Sequence, residues 1–204
     1  MLTYISFVIL GYLSGSIAMA VVVCKLLGLG DPRQVGSRNP GASNVYRLYG
    51  ANAAIMTLLG DLLKGVLPVI LASILQAPDP VVYMTGMAAF FGHLYPLFFH
   101  FKGGKGVATL IGVLLATHWM LGLTFIVTWL VVALIFRYSS LSSITAAITL
   151  PGYVWFLSPS PAYVISLTVM AGFLTWRHRT NIKRLLAGTE PRLEKTAPHK
   201  TQVM

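Results

Sequence analysis

The stretch VATLIGVLLATHWMLGLTFIVTWLVVALIF, residues 107–136, decides the fold. It runs for 30 residues without an Asp, Glu, Lys or Arg. As one straight helix it would be about 45 Å long, against a bilayer hydrocarbon core of about 30 Å. Folded back at Thr117-His118-Trp119 it becomes two short helices, with Trp119 at a membrane interface. The charges on either side of the stretch decide between these two forms.

Outward from it, four more apolar runs are long enough to cross a bilayer or nearly so: residues 2–24, 52–76, 81–99 and, in the C-terminal half, 141–157, with 162–176 as a fifth. Turns separate them at Ala77-Pro78-Asp79-Pro80 and at Ser158-Pro159-Ser160-Pro161. With the N-terminus outside and 107–136 folded, there are seven spans. Lys25, Arg33, Arg38, Arg47, Lys102, Lys105, Arg137 and the basic residues from Arg177 onward then share one side, and the outer turns carry no Lys or Arg. Five spans, with 107–136 and 141–176 as single helices, would put Arg137 outside. Cytoplasmic loops collect Lys and Arg, which favours seven, with the N-terminus periplasmic and the polar loops cytoplasmic. The two helices from 107–136 would be short, so tilt or local thinning is expected.

Composition agrees. Of 204 residues, 56% are hydrophobic and only 10% charged, where soluble domains carry about 25%. The net charge of +10 would suggest nucleic acid in a soluble chain. In a membrane chain it first reflects the loop bias, and only the arrangement of the cations argues for anionic substrates. The lone Cys24 allows no intrachain disulfide, and it reads as packing. Residues 2–23 lack a basic flank and exceed a signal core, so they read as a retained span. The tail after Pro191, rich in Lys, Thr and Pro, reads as disordered.

Three polar segments fall on the cytoplasmic side. The first, Gly36-Ser37-Arg38-Asn39-Pro40-Gly41-Ala42-Ser43-Asn44-Val45-Tyr46-Arg47, combines hydroxyls, amides and arginines with two glycines. A solvated loop accounts for less of this than an anion site does: Ser and Asn donate, glycine lets backbone N–H groups approach, and Arg47 can grip phosphate through two bonds. Gly36 is a candidate for the turn and Gly41 for the close approach. The second runs from Gly92-His93-Leu94-Tyr95-Pro96 to Lys102-Gly103-Gly104-Lys105-Gly106-Val107-Ala108-Thr109. Glycines opening a helix place free N–H groups and a positive dipole end where phosphate can bind, with Lys105 adding a charge. It is not a Walker A loop, because Phe99 and Gly106 stand where that motif needs Gly and Ser or Thr. Alone, Gly-Gly-Lys-Gly is a weak signal and equally suits an interfacial turn. His93 lies inside a span, where a satisfied core histidine is the default.

The third segment is Arg177-His178-Arg179-Thr180-Asn181-Ile182-Lys183-Arg184, followed by Gly188 and Glu190. A basic flank that holds lipid headgroups explains the arginines. It leaves unexplained His178 and Asn181 on one helical face and a carboxylate in an acid-poor region. Within the second span, Asp61 and Lys64 are three residues apart. Ionisable groups there suggest function, or a structural ion pair between the two.

These pieces together resemble the bacterial acylphosphate-dependent glycerol-3-phosphate acyltransferases, the PlsY family. The matching residues are Gly36-Ser37-x-Asn39-x-Gly41-Ala42-Ser43-Asn44-Val45-x-Arg47, Gly92-His93-x-x-Pro96, residues 101–109, Arg177-His178-x-x-Asn181-Ile182-x-Arg184, Gly188-x-Glu190 and Asp61-x-x-Lys64-Gly65. Arg38 stands where the family often has Gly, and Ser43 where it often has Thr. The resemblance covers residues 1–190 as a single transmembrane acyltransferase domain, leaving 191–204 as a tail.

It implies an all-α polytopic bundle of seven helices in the bacterial inner membrane. The implied reaction transfers an acyl group from acyl phosphate to the sn-1 hydroxyl of glycerol 3-phosphate, giving lysophosphatidate and phosphate in the first step of phospholipid synthesis. It implies no metal, no cofactor and no nucleic acid, with membrane lipid around the chain and a soluble upstream enzyme making the acyl phosphate.

The implied catalytic residues are Ser37, Arg47, Lys105, His178 and Asn181. Asn39, Gly41, Ser43, Asn44, Lys64, His93, Lys102, Gly103, Gly104, Gly106, Thr109 and Arg177 are expected to bind substrate or phosphate. Asp61 and Glu190 are read as structural. The backbone N–H groups of residues 103–106 would assist. Either His178 or the substrate's own phosphate would serve as base, and Ser37 as a covalent nucleophile is less favoured because no triad-like spacing supports it. Rival readings are an organic-phosphate transporter, disfavoured because the polar residues gather at one face, and a scaffold that binds phospholipid.

Overall fold

The computed structural model describes residues 2–158 and 160–193; the rest of the tail, 194–204, lies outside them. Residues 107–136 form two helices. They are α6 (Val107–Thr117) and α7 (Trp119–Phe136), separated by an extended His118 with φ −156° and ψ 93°. Gly122 lets α7 lie against Leu115 of α6, because a Cβ there would press on the Leu115 side chain at 2.6 Å.

Before them come α1 (Leu2–Gly15), α2 (Met19–Leu26), α3 (Ala42–Tyr49), α4 (Ala51–Ile74) and α5 (Asp79–Leu94). After them come α8 (Ser139–Leu157), α9 (Pro161–Arg177) and α10 (Arg179–Leu186). Among the described residues there is no strand. Among the described residues, four stretches are long and apolar enough to cross a membrane, α4, α5 with the turn after it, α7 and α8, and α1 with α2 makes a fifth if the bent pair is one span.

The continuous first span expected over residues 2–24 is corrected. It breaks after Gly15, and α1 and α2 meet at a bend of 49°. The cause is local. Gly11 and Gly15 bring α1 so close to α5 that any Cβ would strike the Thr85 and Ala89 carbonyls, and Gly92 returns the contact against Tyr12 and Gly15. In lipid, where apolar burial gives little drive between helices, such small-residue contact is what holds a pair together. A Gly-Ser step is a usual place for a kink. Polar side chains meet backbone groups at the break: Lys64 Nζ donates to the Ile17 carbonyl at 2.8 Å, and Ser14 Oγ to the Lys64 carbonyl at 3.1 Å.

The main apolar core joins α5, α6, α8 and α9 through Phe90, Leu94, Leu110, Leu114, Leu150, Leu167 and Leu174. By contrast, only 17% of α7 is buried, and Val127, Leu130, Val131, Leu134 and Ile135 project outward. A soluble protein rarely leaves so large an apolar face open; hydrocarbon accommodates it.

Residues 191–193, the start of the tail, pack on the body. Leu193 N–H donates to the Arg137 carbonyl at 2.6 Å, and Arg192 Nε to Tyr138 Oη at 3.1 Å.

Candidate active site

The loop between α5 and α6 is shaped by contacts that only glycine permits. Gly106 has φ 88°, and a Cβ there would run into the Phe90 ring; a Cβ on Gly103 would meet the His93 and Leu94 carbonyls. Arg177, at the end of α9, clamps this loop. Its Nη2 donates to the Gly103 carbonyl at 2.8 Å and its Nε to the Gly104 carbonyl at 3.1 Å, with the guanidinium 5.7 Å from the Tyr95 ring centre. The Gly104 N–H donates to the His93 carbonyl at 3.1 Å. The expectation that all N–H groups of 103–106 face a ligand is therefore narrowed. Those of Gly103, Lys105 and Gly106 have no backbone partner among the described residues, and the first turn of α6 adds its own free N–H groups.

Lys105 reaches from this loop to the third segment, donating to Asn181 Oδ1. Asn181 Nδ2 donates to Glu190 Oε1 at 2.7 Å. Glu190 is the hub: Ser140 Oγ donates to the same oxygen at 2.6 Å, and Arg184 Nε to Oε2 at 2.7 Å. Burial works to raise the Glu190 pKa, but the bonds from Ser140, Asn181 and Arg184 outweigh it, so the group stays ionised below the usual carboxylate range.

Burial is also the main reason the Lys105 ammonium falls to about 8. Glu190 opposes that shift, and Arg184, Arg47 and Arg177 add to it. His178, 2% exposed, falls to about 4, chiefly through burial and next through the Lys105 charge. It is neutral at pH 7. Its Nδ1 lies 2.8 Å from the Leu174 carbonyl, which can only accept, so Nδ1 carries the proton and Nε2 is left as an acceptor.

The first segment joins through its cations. Gly36 and Arg38 both take left-handed backbone, φ 65° and 57°, a conformation that glycine adopts without strain and that is uncommon for a residue with a side chain. Asn44 is almost fully buried, and its amide serves its own loop. Nδ2 donates to the Pro32 and Val35 carbonyls at 2.8 and 3.3 Å, while Oδ1 accepts from the Ser37 N–H at 3.0 Å. Gly41 caps α3 beside the Asn39 amide.

The Arg33 guanidinium, 5.3 Å from the Phe99 ring centre, ties this loop to the second segment. Arg47 is close enough to act on Lys105. It also lines, with Ser43, Ser139 and Arg192, a cleft of about 440 Å³ whose other walls include Ile55, Leu58 and Trp129. Ser37 and Ser43 are exposed, and no hydrogen bond among the described residues ties Ser37, Asn39 or Lys102 side chains to the other segments.

Three residues anticipated as ligands, Lys64, His93 and Thr109, turn inward and join Asp61, expected to be structural. Asp61, Lys64, His93 and Thr109 are all buried. Lys64 Nζ is 2.8 Å from Asp61 Oδ1, and His93 Nδ1 is 3.5 Å from the same oxygen. Thr109 Oγ1 is 2.9 Å from the Asp61 carbonyl and 3.1 Å from His93 Nδ1.

The family model for glycerol-3-phosphate acyltransferase matches residues 5–188. The chain belongs to the glycerol-3-phosphate acyltransferase family. It is 53% identical over 182 residues to the glycerol-3-phosphate acyltransferase of Methylococcus capsulatus, covering 89% of this chain and 92% of that protein. It is 54% identical over 187 residues to that of Halorhodospira halophila, covering 91% and 94%. The crystal structure of PlsY (YgiH), an integral membrane glycerol 3-phosphate acyltransferase, in its glycerol 3-phosphate form, superposes with a TM-score of 0.89. It is 40% identical and covers 94% of this chain and 96% of that one. Its lysophosphatidic acid form gives 0.87, at 39% identity with 93% and 95% covered.

As a glycerol-3-phosphate acyltransferase, the chain is a multi-pass membrane acyltransferase of phospholipid synthesis, and the organic-phosphate transporter reading falls. In this acyltransferase the residue that sequence reasoning missed is Ser140. It follows Tyr138 and Ser139 at the start of α8, where a hydroxyl reads as routine helix-start chemistry; nothing in the pattern pointed to Glu190 fifty residues on.

Proposed function

We propose that the chain transfers a fatty acyl group from acyl phosphate to the sn-1 hydroxyl of glycerol 3-phosphate, releasing lysophosphatidate and inorganic phosphate. One observation supports this reading above all: the ammonium of Lys105 feels Arg47, Arg177 and Arg184 against a single carboxylate, Glu190. Such a surplus, partly withdrawn from water, favours an anion of nearly two charges, as a phosphate monoester is at neutral pH.

Glycerol 3-phosphate would sit with its phosphate on Lys105 and the free N–H groups of Gly103 and Gly106, and its hydroxyls toward Asn181 and His178. Acyl phosphate would sit with its phosphate on Arg47, Ser37, Asn39 and Ser43. Its chain would follow the cleft along Ile55, Leu58 and Trp129, which Arg47 and Ser43 also line. The glycerol oxygen attacks the acyl carbon, the carbon–oxygen bond to phosphate breaks, and phosphate leaves with the electron pair. A mixed anhydride is already activated, so orientation and stabilisation of the developing oxyanion carry the rate.

A base is most effective with a pKa near the working pH. His178, near 4, is too weak for that and better suited to accept the hydroxyl's hydrogen bond. The proton goes to a substrate phosphate.

For the membrane arrangement we propose seven spans: α1 with α2, α4, α5, α6, α7, α8 and α9. The N-terminus is periplasmic, and α3, α10 and the three polar segments face the cytoplasm of a bacterial inner membrane. α6, of 11 residues, spans only about 16 Å, so the bilayer thins there or the polar loop dips toward it. A soluble enzyme that forms acyl phosphate would supply the donor.

The deciding experiment gives purified protein acyl phosphate and glycerol 3-phosphate and follows lysophosphatidate. Product formation is expected; its absence in every detergent and lipid tried refutes the proposal. Ser37→Ala should slow the reaction strongly with the fold intact, and a wild-type rate would remove Ser37 from the site. For topology, Asp79→Cys should label from the periplasmic side and Lys183→Cys from the cytoplasmic side only; the opposite pattern inverts the arrangement.

A further inference from the structure

The inward-turned charges are arranged in series. Lys64 holds the Ile17 carbonyl at the α1–α2 break and Asp61 on its own helix, both at 2.8 Å. Asp61 Oδ1 faces His93 Nδ1 at 3.5 Å. Thr109 has one hydroxyl proton, and the Asp61 carbonyl 2.9 Å away can only accept. His93 Nδ1 therefore donates to Thr109 Oγ1 at 3.1 Å, and Nε2 is turned the other way. There it meets Gly104, so closely that any side chain on Gly104 would collide with the ring. The same His93 also takes the Gly104 N–H on its carbonyl, at 3.1 Å. Gly104 is thus held by both ends of one histidine, and the next residue is Lys105.

Asp61 and His93 are both buried and engaged with neighbours on α4 and α6. A charged pair retained in a span is costly, and packing alone would be served as well by apolar side chains. We infer that Asp61, Lys64 and His93 are positioning residues for the acyl transfer: a buried series of contacts, anchored at the α1–α2 break, that sets where the Gly104 backbone and Lys105 lie. This rests on the proposed placement of glycerol 3-phosphate on Lys105. It predicts that disturbing the series loosens binding of that substrate more than it slows the chemistry.

The test uses full-length protein in detergent, with Asp61→Asn, His93→Gln, Gly104→Ala and the double variant His93→Ala/Gly104→Ala. KM for glycerol 3-phosphate, kcat, calorimetric binding of glycerol 3-phosphate and the melting temperature are read for each. Asp61→Asn and His93→Gln are expected to raise KM and the dissociation constant at least tenfold, with kcat within about threefold. Gly104→Ala should raise KM similarly, and by a smaller factor when His93 has already been cut to Ala, because the Cβ then has room. A wild-type KM with a lowered melting temperature would make the series purely structural and overturn the inference. A kcat at background with KM unchanged would put His93 at the reacting atoms and overturn it as well. If the wild-type chain forms no lysophosphatidate, the proposed reaction fails on its own; calorimetric binding still decides whether the series positions the loop.

Discussion

Two groups of ionisable side chains meet at Gly104, and they differ in whether their charges close. On one side Asp61, Lys64 and His93 face one another and backbone carbonyls, all nearly out of reach of water. On the other, Lys105 lies among Arg47, Arg177 and Arg184 with Glu190 as the opposing charge, and Glu190 is already bonded to Ser140, Asn181 and Arg184. A closed group holds the fold. An open one attracts a ligand of opposite sign, because bringing an anion among half-buried cations relieves their mutual repulsion. The comparison separates binding residues from supporting residues of the same chemical type.

It breaks most visibly at Lys105. Lys105→Ala should lower kcat/KM by about 10² to 10³, the usual loss for one preorganised charge contact, with the melting temperature nearly unchanged; a variant within threefold of wild type would move the ligand elsewhere. Glu190→Ala should act on stability instead. It strands a buried Ser140, Asn181 and the Arg184 partner, a loss of about 2–4 kcal/mol, visible as a lowered melting temperature in detergent. An unchanged melting temperature would show the hub to be dispensable.

His178→Asn should reduce kcat/KM by about tenfold, the effect of one hydrogen bond. A loss of 10³ or more would instead make it the general base.

The pH effects are smaller. Between pH 7 and 9 the substrate phosphate is already ionised, whereas Lys105 loses its proton around 8. Bound anion favours the charged ammonium, so glycerol 3-phosphate binding should take up a proton near pH 8 and weaken as pH rises through it. Calorimetry in buffers of different ionisation enthalpy reads this, and affinity flat from 7 to 9 would contradict it. For His178 the folded pKa near 4 lies below the unfolded value of about 6.5. The unfolded chain then binds more protons in that window, so its contribution to stability is complete above about 6.5 and is lost as pH falls toward 4. His178→Asn should flatten that part of the melting-temperature profile.

Much of this was legible in the chain itself. The break at His118 was legible because a run of 30 residues without an Asp, Glu, Lys or Arg exceeds the bilayer as one straight helix. The grouping of Lys105 with His178, Asn181 and Arg177 was signalled by basic, glycine- and amide-rich segments on one side. The role of Asn44 was not legible: an amide in a donor-rich loop looks like a ligand, and only the fold shows it holding Pro32, Val35 and the Ser37 N–H. Nor was the bend after Gly15, because hydropathy reports that a run is apolar without reporting how closely another helix approaches it.

The linear order of side chains thus determined what is apolar, where the charges fall and which backbone positions can turn left-handed, since these depend on a residue and its near neighbours. Tertiary structure alone decided which polar group meets which. Lys64, His93 and Lys105 have similar standing as residues of a basic chain, yet two are closed against Asp61 and one is left facing an incomplete set of charges. For Lys64 the three-residue spacing to Asp61 on one helix already hinted at the pair, whereas the approach of His93 to Asp61 and of Lys105 to Asn181 depends on distances between elements far apart in the chain.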